Sequence, residues 1–591
     1  MTAARERTNG TGPVDQPQAQ AVGLVLGTEQ EPSTPLGFWV YVDPQRYLQL
    51  DDVVHVRSPL PDGEVIDLYG IVDEVRAHQE GASFTSDVQL VSDGVLPAQS
   101  VVAAHVAVTR IEPEVYVPPS PGQPVVLATG EAQRAALFTD TMDETFPLGI
   151  SRAGDVTFGN LEFLDGTNGA HVNISGISGV ATKTSYATFL LHALFEGGSL
   201  GQRAANSKAL IFNVKGEDLL FLDKPNARLD DGERTRYAQL GLPATPFASV
   251  GFLAPVRGGD QPMPDTGSRQ EGVTGFFWTL RDFCERGYLR FLFADAESEL
   301  SQLSYVVDAV EAQLRIAARK SPAGANIVVD GSSVGTFDDL VDVIEIHTDP
   351  EGDTGSQPWA GAGATAASVG TIRAFMRRLN AASRHVGHLI RGNEFAETDP
   401  ADHRIDTARH QVTVVDIHRL HDRAQRFVVG VVLSEQIEAR EGRRGSDRPP
   451  PLFVVVDELN KYAPRDGRSP IKELLLDIAE RGRSLGVILI GAQQTASEVE
   501  SRVVGQSSFR VVGRLDAAEA GRGEYRFLSA AARERARLLK PGTMIVSQPE
   551  LPVPLLVQFP RPAWATRPSE VGETAAVADG DSGDVFDRFD R

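Results

Sequence analysis

Cysteine is almost absent from this chain: among its 591 residues, Cys284 is the single example. One thiol cannot form a disulfide within the chain, which excludes the small disulfide-stabilised scaffolds of secreted proteins and favours a reducing compartment. The surrounding sequence, RDFCERG, contains no histidine that would activate a nucleophilic thiol. We therefore interpret Cys284 as a structural residue.

Long apolar runs are also missing. No stretch approaches the roughly 18 consecutive apolar residues that a membrane-spanning helix needs. The first residues, MTAARERTNGTGPVDQ, lack the apolar core of a signal peptide. These absences predict a cytoplasmic protein with no membrane partner.

Positive charge is scarce, because 57 Lys and Arg residues stand against 80 Asp and Glu residues and give a net charge of −23. This balance argues against a protein whose whole surface binds nucleic acid. A ring-shaped assembly can still present a basic channel inside an acidic exterior. Charge alone therefore excludes general nucleic-acid affinity but not a local DNA-binding surface.

Composition and periodicity divide the chain into segments. Short alternating strands separated by turns predict a small β-barrel, and the later alternation of strands and helices predicts an α/β fold. A mostly helical insertion is expected at about residues 265–400 of the α/β part. The predicted segments are a disordered N-terminus (1–20), the barrel (21–117), a connector (118–158), the α/β core (159–564) and an acidic disordered tail (565–591).

The most informative segment is FVVVDELN, at residues 453–460. An apolar run of this kind predicts a strand buried on both faces, and the carboxyl end of such a strand is where an open α/β sheet binds its ligand. Asp457 and Glu458 follow the run directly. Two acids at that place suit two tasks, one on the Mg²⁺ of a bound nucleotide and one on the attacking water. The alternative is a buried strand that ends in solvated acids.

A second segment, AHVNISGISGVATKTSY at residues 170–186, has the layout of a phosphate-binding loop. A short strand leads into a Gly- and Ser-rich turn, then Lys183 and Thr184, then a helical pattern. Backbone N–H groups would hold phosphates, Lys183 would reach the β and γ oxygens, and the Thr184 hydroxyl would contact Mg²⁺. The predicted nucleotide-binding residues are Gly176, Ser178, Gly179, Val180, Ala181, Thr182, Lys183, Thr184 and Ser185.

This loop departs from the usual spacing G-x-x-x-x-G-K-S/T. Thr182 precedes the lysine where glycine is usual, and Gly176 and Gly179 are each one residue out of register. Glycine is favoured in such loops because it adopts positive φ and allows close approach of the backbone. Thr182 therefore indicates either a weakened loop or a rebuilt one, and both interpretations stay open.

Taken in order, these motifs resemble the HerA family of the HerA/FtsK group of RecA-like motor ATPases, over roughly residues 24–560. The motifs that carry the resemblance are HVNISG, VKGED, VVDELN, GRSLGVILIGAQQ, GQSSFRVVGRL and LLKPGTMIV. The resemblance implies a RecA-like P-loop ATPase core behind the barrel, with ATP and Mg²⁺ as cofactors. It implies a homo-hexamer that translocates or unwinds double-stranded DNA. It further implies a nuclease or sirtuin-like effector as partner, in DNA processing or phage defence.

The same resemblance assigns roles to single residues. Lys183 and Thr184 would bind phosphate and Mg²⁺, Asp457 would support the metal, and Glu458 would polarise the attacking water.

The resemblance also gives four further candidate residues. Gln494 or Gln493 would sense the γ-phosphate, with Gln494 slightly favoured. Arg483, or second to it Arg514, would act on the ATP of a neighbouring subunit. Two alternatives remain at this stage: a ring-shaped scaffold that binds nucleotide weakly and organises an effector, and a P-loop ATPase that remodels protein.

Overall fold

The structure is a computed structural model. It describes residues 20–571 with the exception of residue 30 and of residues 80–84, 96–98, 178–182, 259–260, 295–299, 350–357, 362–366, 393–398 and 443–448. The predictions for Ser178, Gly179, Val180, Ala181 and Thr182 thus lie outside the described residues. The chain forms two compact units: Met1–Asp143 with Leu528–Ala532 and Glu550–Leu555, and the remainder.

The first unit contains a closed antiparallel barrel, which confirms the predicted fold of this region. Its six described strands follow the order β1-β2-β5-β4-β3-β6. Alternate residues of each strand point inward, so that side chains such as Val40, Val54 and Val56 are fully buried. The elements are β1 (Gly23–Leu26), β2 (Gly37–Val42), β3 (Val53–Pro59), β4 (Val65–Gln79), α1 (Thr85–Ser92), β5 (Ser100–Glu112), β6 (Pro124–Leu127) and α2 (Glu131–Ala136).

The second unit is built on one large sheet, which has twelve strands within the described residues. Their order is β12-β11-β17-β10-β18-β19-β9-β20-β21-β22-β7-β8. The strands are β7 (Thr145–Ile150), β8 (Val156–Asn160), β9 (Val172–Ser175), β10 (Lys208–Asn213), β11 (Val250–Pro255), β12 (Val273–Phe276), β17 (Val412–Asp416), β18 (Leu452–Asp457), β19 (Val487–Gln493), β20 (Phe509–Val512), β21 (Thr543–Ser547) and β22 (Leu555–Gln558).

The central strands have the order of a RecA-like P-loop core, which confirms the predicted fold class. Strand β9, which precedes the predicted phosphate-binding loop, lies between β19 and β20, while the acid-bearing β18 lies between β19 and β10. These strands pair in parallel. Every residue of β18 and β19 is buried. The apolar runs of the sequence therefore form strands covered on both faces, as parallel sheets require.

Helices cover the sheet and form the inserted segment. In that segment α8 packs on both α6 and α7, and it also packs on α9. No helix of the described residues is both long and apolar enough to cross a bilayer. The remaining elements are α3 (Lys183–Phe195), α4 (Asp231–Gln239), β13 (Trp278–Thr279), α5 (Leu280–Glu285), α6 (Leu300–Lys320), β14 (Ile327–Val329), β15 (Ser332–Val334), α7 (Phe337–Thr348), α8 (Val369–Val386), β16 (Ile390–Arg391), α9 (Asp422–Glu441), α10 (Leu459–Tyr462), α11 (Pro470–Leu485), α12 (Ser501–Gly505), α13 (Ala517–Ala520) and α14 (Ala530–Ala536).

Candidate functional site

The carboxyl ends of the parallel strands bring the predicted residues together. Strand β18 ends at Asp457, β19 at Gln493 and β9 at Ser175, just before the predicted loop, while Lys183 is the first residue of α3. Because parallel strands share one carboxyl edge, residues far apart in sequence meet there. The candidate site is therefore this edge.

Thr184 and Asp457 are in direct contact. The Thr184 hydroxyl donates a hydrogen bond to Asp457 Oδ2 over 3.2 Å. This pairing of the helix that follows the loop with the acid of β18 is the one expected of two Mg²⁺ ligands. A hydroxyl and a carboxylate are hard oxygen donors, and Mg²⁺ in nucleotide sites uses few protein ligands together with phosphate oxygens. The residues present therefore fit Mg²⁺.

Lys183 is a buried cation beside these groups, with 5% of its surface exposed. Burial lowers the pKa of its ammonium to about 8, an effect opposed by Asp457 and Glu458 and reinforced by the nearby Lys215. The group is still mostly protonated at neutral pH. Asp457 and Glu458 offset part of the cost of keeping this charge in a desolvated place, and a bound phosphate would add a further anion.

Glu458 has an unusual backbone. It adopts the left-handed conformation, with φ 55° and ψ 47°, directly before α10. Its N–H donates to Asp457 Oδ1 over 2.8 Å. A non-glycine residue in this region costs on the order of 1 kcal/mol or more, and such strain is concentrated at functional sites. The conformation turns the carboxylate away from the line of the strand, towards two lysines.

Those lysines contact different oxygens of Glu458. Lys215 Nζ lies 3.0 Å from Glu458 Oε1 and 3.6 Å from Asp457 Oδ2. Lys461 Nζ lies 3.7 Å from Glu458 Oε2. Lys215 is the lysine of the VKGED motif, to which the sequence analysis gave no role, and Lys461 was missed. The spacing was a usable signal for the second, because Lys461 follows Glu458 by three residues at the start of a helix.

The two glutamines at the end of β19 differ in environment. Gln493 is fully buried, and its Nε2 donates to Asn173 Oδ1 of β9 over 2.8 Å. Its Oε1 is buried and has no hydrogen-bond partner among the described residues. Gln494 is exposed. The structure therefore ties Gln493 to the strand of the phosphate-binding loop and leaves Gln494 accessible at the edge; the choice of γ-phosphate sensor stays a prediction.

Gly176 shows why the chain needs glycine as it leaves β9. Its φ is +158°, and an added Cβ would lie 3.2 Å from the Arg514 carbonyl oxygen. The next residue, Ile177, donates its N–H to that same carbonyl over 2.8 Å. Side chains at position 176 would disturb this close approach.

The two candidate arginines occupy opposite ends of the strands. Arg514, which is exposed, follows β20 and borders the carboxyl edge. Arg483 lies at the end of α11, just before the amino end of β19, where its guanidinium donates to the Gly166 carbonyl over 3.1 Å and to the Thr167 carbonyl over 2.5 Å. The seven residues of β19 separate Arg483 from its own candidate site by about 20 Å.

A further polar group lies two strands from the acid pair. Asp416 at the end of β17 is 1% exposed and accepts hydrogen bonds from Asn213 Nδ2 and His418 Nδ1 over 2.8 and 2.7 Å. The hydrogen bond to Asp416 raises the pKa of His418 above its ordinary value. No cluster of three or more His, Cys, Asp or Glu residues suited to a metal occurs among the described residues.

Comparison with known sequences gives one weak match. No family model matches the chain. A stretch of 113 residues is 24% identical to a probable helicase of Methanocaldococcus jannaschii, and it covers 19% of this chain and 22% of that protein. The match thus spans less than a quarter of the relative's length.

Comparison with solved structures finds similar architecture at low identity. VirB4 of Thermoanaerobacter pseudethanolicus is 14% identical, with a TM-score of 0.41 over 71% of this chain and 96% of that one. The plasmid coupling protein TrwB, in complex with a non-hydrolysable ATP analogue, is 13% identical, with a TM-score of 0.42 over 69% and 88%. Scores of this size carry no functional argument.

Proposed function

We propose that this protein is an ATPase that drives translocation or unwinding of double-stranded DNA, similar to the HerA family and working as a homo-hexameric ring. One observation carries the ATPase part. Lys183, Thr184, Asp457 and Glu458 come from separate segments and meet at the carboxyl edge of a sheet with RecA-like strand order. The partial match to a probable helicase supports the motor part.

The chain's own residues account for binding. Lys183 neutralises charge on the β and γ phosphates, and its burial makes that contact strong because water does not compete. Thr184 and Asp457 would hold Mg²⁺. When bound, Mg²⁺ neutralises charge that develops on the phosphate oxygens during phosphoryl transfer.

Hydrolysis is assigned to Glu458. Its carboxylate orients the attacking water and accepts a proton from it, a role that contributes about 10²- to 10⁴-fold to the rate. Gln493 or Gln494 would report the presence of the γ-phosphate to β9 and β19. The contact between Gln493 and Asn173 supports Gln493 as the residue that transmits such a signal within the sheet.

The position of Arg483 supports assembly of several copies, and the family resemblance gives six as their number. An arginine side chain cannot cover about 20 Å, so Arg483 cannot reach the ATP of its own subunit. In a ring whose subunits pack with the amino edge of one copy against the carboxyl edge of the next, Arg483 would stabilise the transition state at the neighbour's ATP. A nuclease or sirtuin-like effector is proposed on the family resemblance alone.

The test is ATP hydrolysis by the purified full-length protein with and without linear duplex DNA. We expect Mg²⁺-dependent hydrolysis that duplex DNA stimulates several-fold, with Glu458→Gln as the inactive control. Hydrolysis that duplex DNA leaves unchanged would contradict the DNA motor and favour an ATPase that acts on protein. Tight nucleotide binding without hydrolysis would favour the scaffold.

A further inference from the structure

The two lysines beside Glu458 are held in different ways. Lys461 is anchored, because its Nζ lies 3.0 Å from Asp422 Oδ1 and donates to Gln425 Oε1 over 3.0 Å, both on α9. Lys215 follows β10 and, among the described residues, pairs with the two acids alone. Its side chain is 38% exposed. Lys215 is therefore the partner that is free to leave.

Lys215 also contacts the oxygen that the metal needs. Asp457 Oδ2 accepts the Thr184 hydroxyl over 3.2 Å and lies 3.6 Å from Lys215 Nζ. Thr184 and Asp457 are the residues that fit Mg²⁺. An ammonium and a divalent cation repel each other at such short range, so they compete for this carboxylate.

We propose that Lys215 is an internal counter-ion, whose ammonium bridges the carboxylates of Asp457 and Glu458 while Mg²⁺-nucleotide is absent. When the nucleotide binds, Lys215 leaves Asp457 and the metal takes its place. Lys215 is then a positioning residue for Glu458: the same side chain that leaves Asp457 also restrains the carboxylate that activates water. The inference rests on the proposed ATPase function. Binding of the metal then displaces Lys215 and frees the site for hydrolysis.

The substitution Lys215→Met tests this role, because it keeps the length of the side chain and removes the charge. The Lys215 ammonium, 3.6 Å from Asp457, competes with Mg²⁺ for this carboxylate. Its loss should lower the Mg²⁺ concentration needed for half-maximal nucleotide binding by roughly sevenfold, which is the factor that corresponds to the attraction of two unit charges at this distance in water. Lys215→Arg should resemble the parent. Lys224→Met is the matched control, since Lys224 pairs with Asp223 over 3.6 Å and makes no described contact with either acid.

The first measurement is binding of a fluorescent, non-hydrolysable ATP analogue to the full-length protein at increasing Mg²⁺. An unchanged Mg²⁺ requirement in Lys215→Met, or a raised one, would overturn the proposal; the second result would mean that Lys215 contacts phosphate. The melting temperature of each variant shows whether it is folded.

The second measurement is Mn²⁺ binding to the nucleotide-free protein, followed by electron paramagnetic resonance. We expect Lys215→Met to bind Mn²⁺ more tightly by a similar factor. Equal affinities would overturn the counter-ion role even where nucleotide binds normally. Failure of the parent to bind nucleotide would instead overturn the proposed function, and the Mn²⁺ titration would still decide the role of Lys215.

Discussion

The two ends of the parallel strands hold buried titratable groups in different ways. At the amino end His171 is 2% exposed, and burial lowers its pKa to about 4, so it is neutral and its Nδ1 accepts the Leu489 N–H over 2.9 Å. At the carboxyl end Lys183 is nearly as buried but keeps a pKa of about 8 and hence its charge. A neutral ring that accepts a backbone N–H serves the fold. A buried charge held beside Asp457 and Glu458, at the edge where the strands end, marks a candidate functional site.

The same comparison separates the arginines. Arg483 belongs to the amino end, bound to two backbone carbonyls, whereas Arg514 borders the carboxyl end. A catalytic role for Arg483 therefore needs a second copy of the chain, whereas one for Arg514 does not.

The largest effect is expected from Lys183→Ala. Removal of a buried positive charge that faces phosphate should weaken ATP binding by about 100-fold or more. Lys224→Ala, at an exposed lysine, is the control and should bind as the parent does. The measurement is titration with a fluorescent ATP analogue. An unchanged affinity in Lys183→Ala would remove the phosphate-binding assignment.

The next largest effect is expected when two inactive variants are mixed, one altered at each end of the strands. Arg483→Ala and Glu458→Gln should each be nearly inactive alone, because an arginine finger contributes about 10³- to 10⁵-fold. In a 1:1 mixture about one interface in four carries neither defect, so ATPase activity should reappear.

The parent's ATPase rate is the reference for this mixing experiment, and mass photometry with ATP and Mg²⁺ gives the size of the assembly. A mixture as inactive as its components would argue against Arg483 acting on a neighbour. A monomer under these conditions would argue against the ring itself.

A smaller effect is expected from pH. The lowered pKa of Lys183 means that the free protein loses this charge as the pH rises through about 8, while bound phosphate favours the charged form. ATP affinity should therefore be constant below that pH and fall by up to about tenfold per unit above it. Lys183→Arg, which stays protonated, should show no such fall. A flat profile for the parent would contradict the assignment.

Much of the fold could be predicted from the sequence. The apolar runs before Asp457 and Gln493 become strands buried on both faces, and the alternating pattern of the N-terminal part becomes a closed barrel. Such patterns depend on local periodicity, which a single sequence displays. The resemblance assigned Thr184 and Asp457 to the same Mg²⁺, and the two side chains are in contact.

The finer contacts of the site could not be predicted. The pairing of Lys215 with Glu458 depends on β10 lying beside β18 and on the left-handed backbone of Glu458. Gln493, and not Gln494, is buried beside Asn173 because β19 ends at residue 493. An end one residue later would exchange the two side chains. Side-chain direction at a strand end reverses with each residue, and sequence periodicity does not fix strand ends that finely.

The role of Glu458 as the base of an ATPase site is tested most directly by single-turnover hydrolysis of ATP by Glu458→Gln, with nucleotide binding measured on the same sample. Glutamine keeps the shape of the side chain and removes the base. We expect ATP and Mg²⁺ to bind about as tightly as in the parent and hydrolysis to be slower by about 10²-fold or more. Hydrolysis at the parent's rate would contradict the claim that the carboxyl edge of this sheet is an ATPase site with Glu458 as its base.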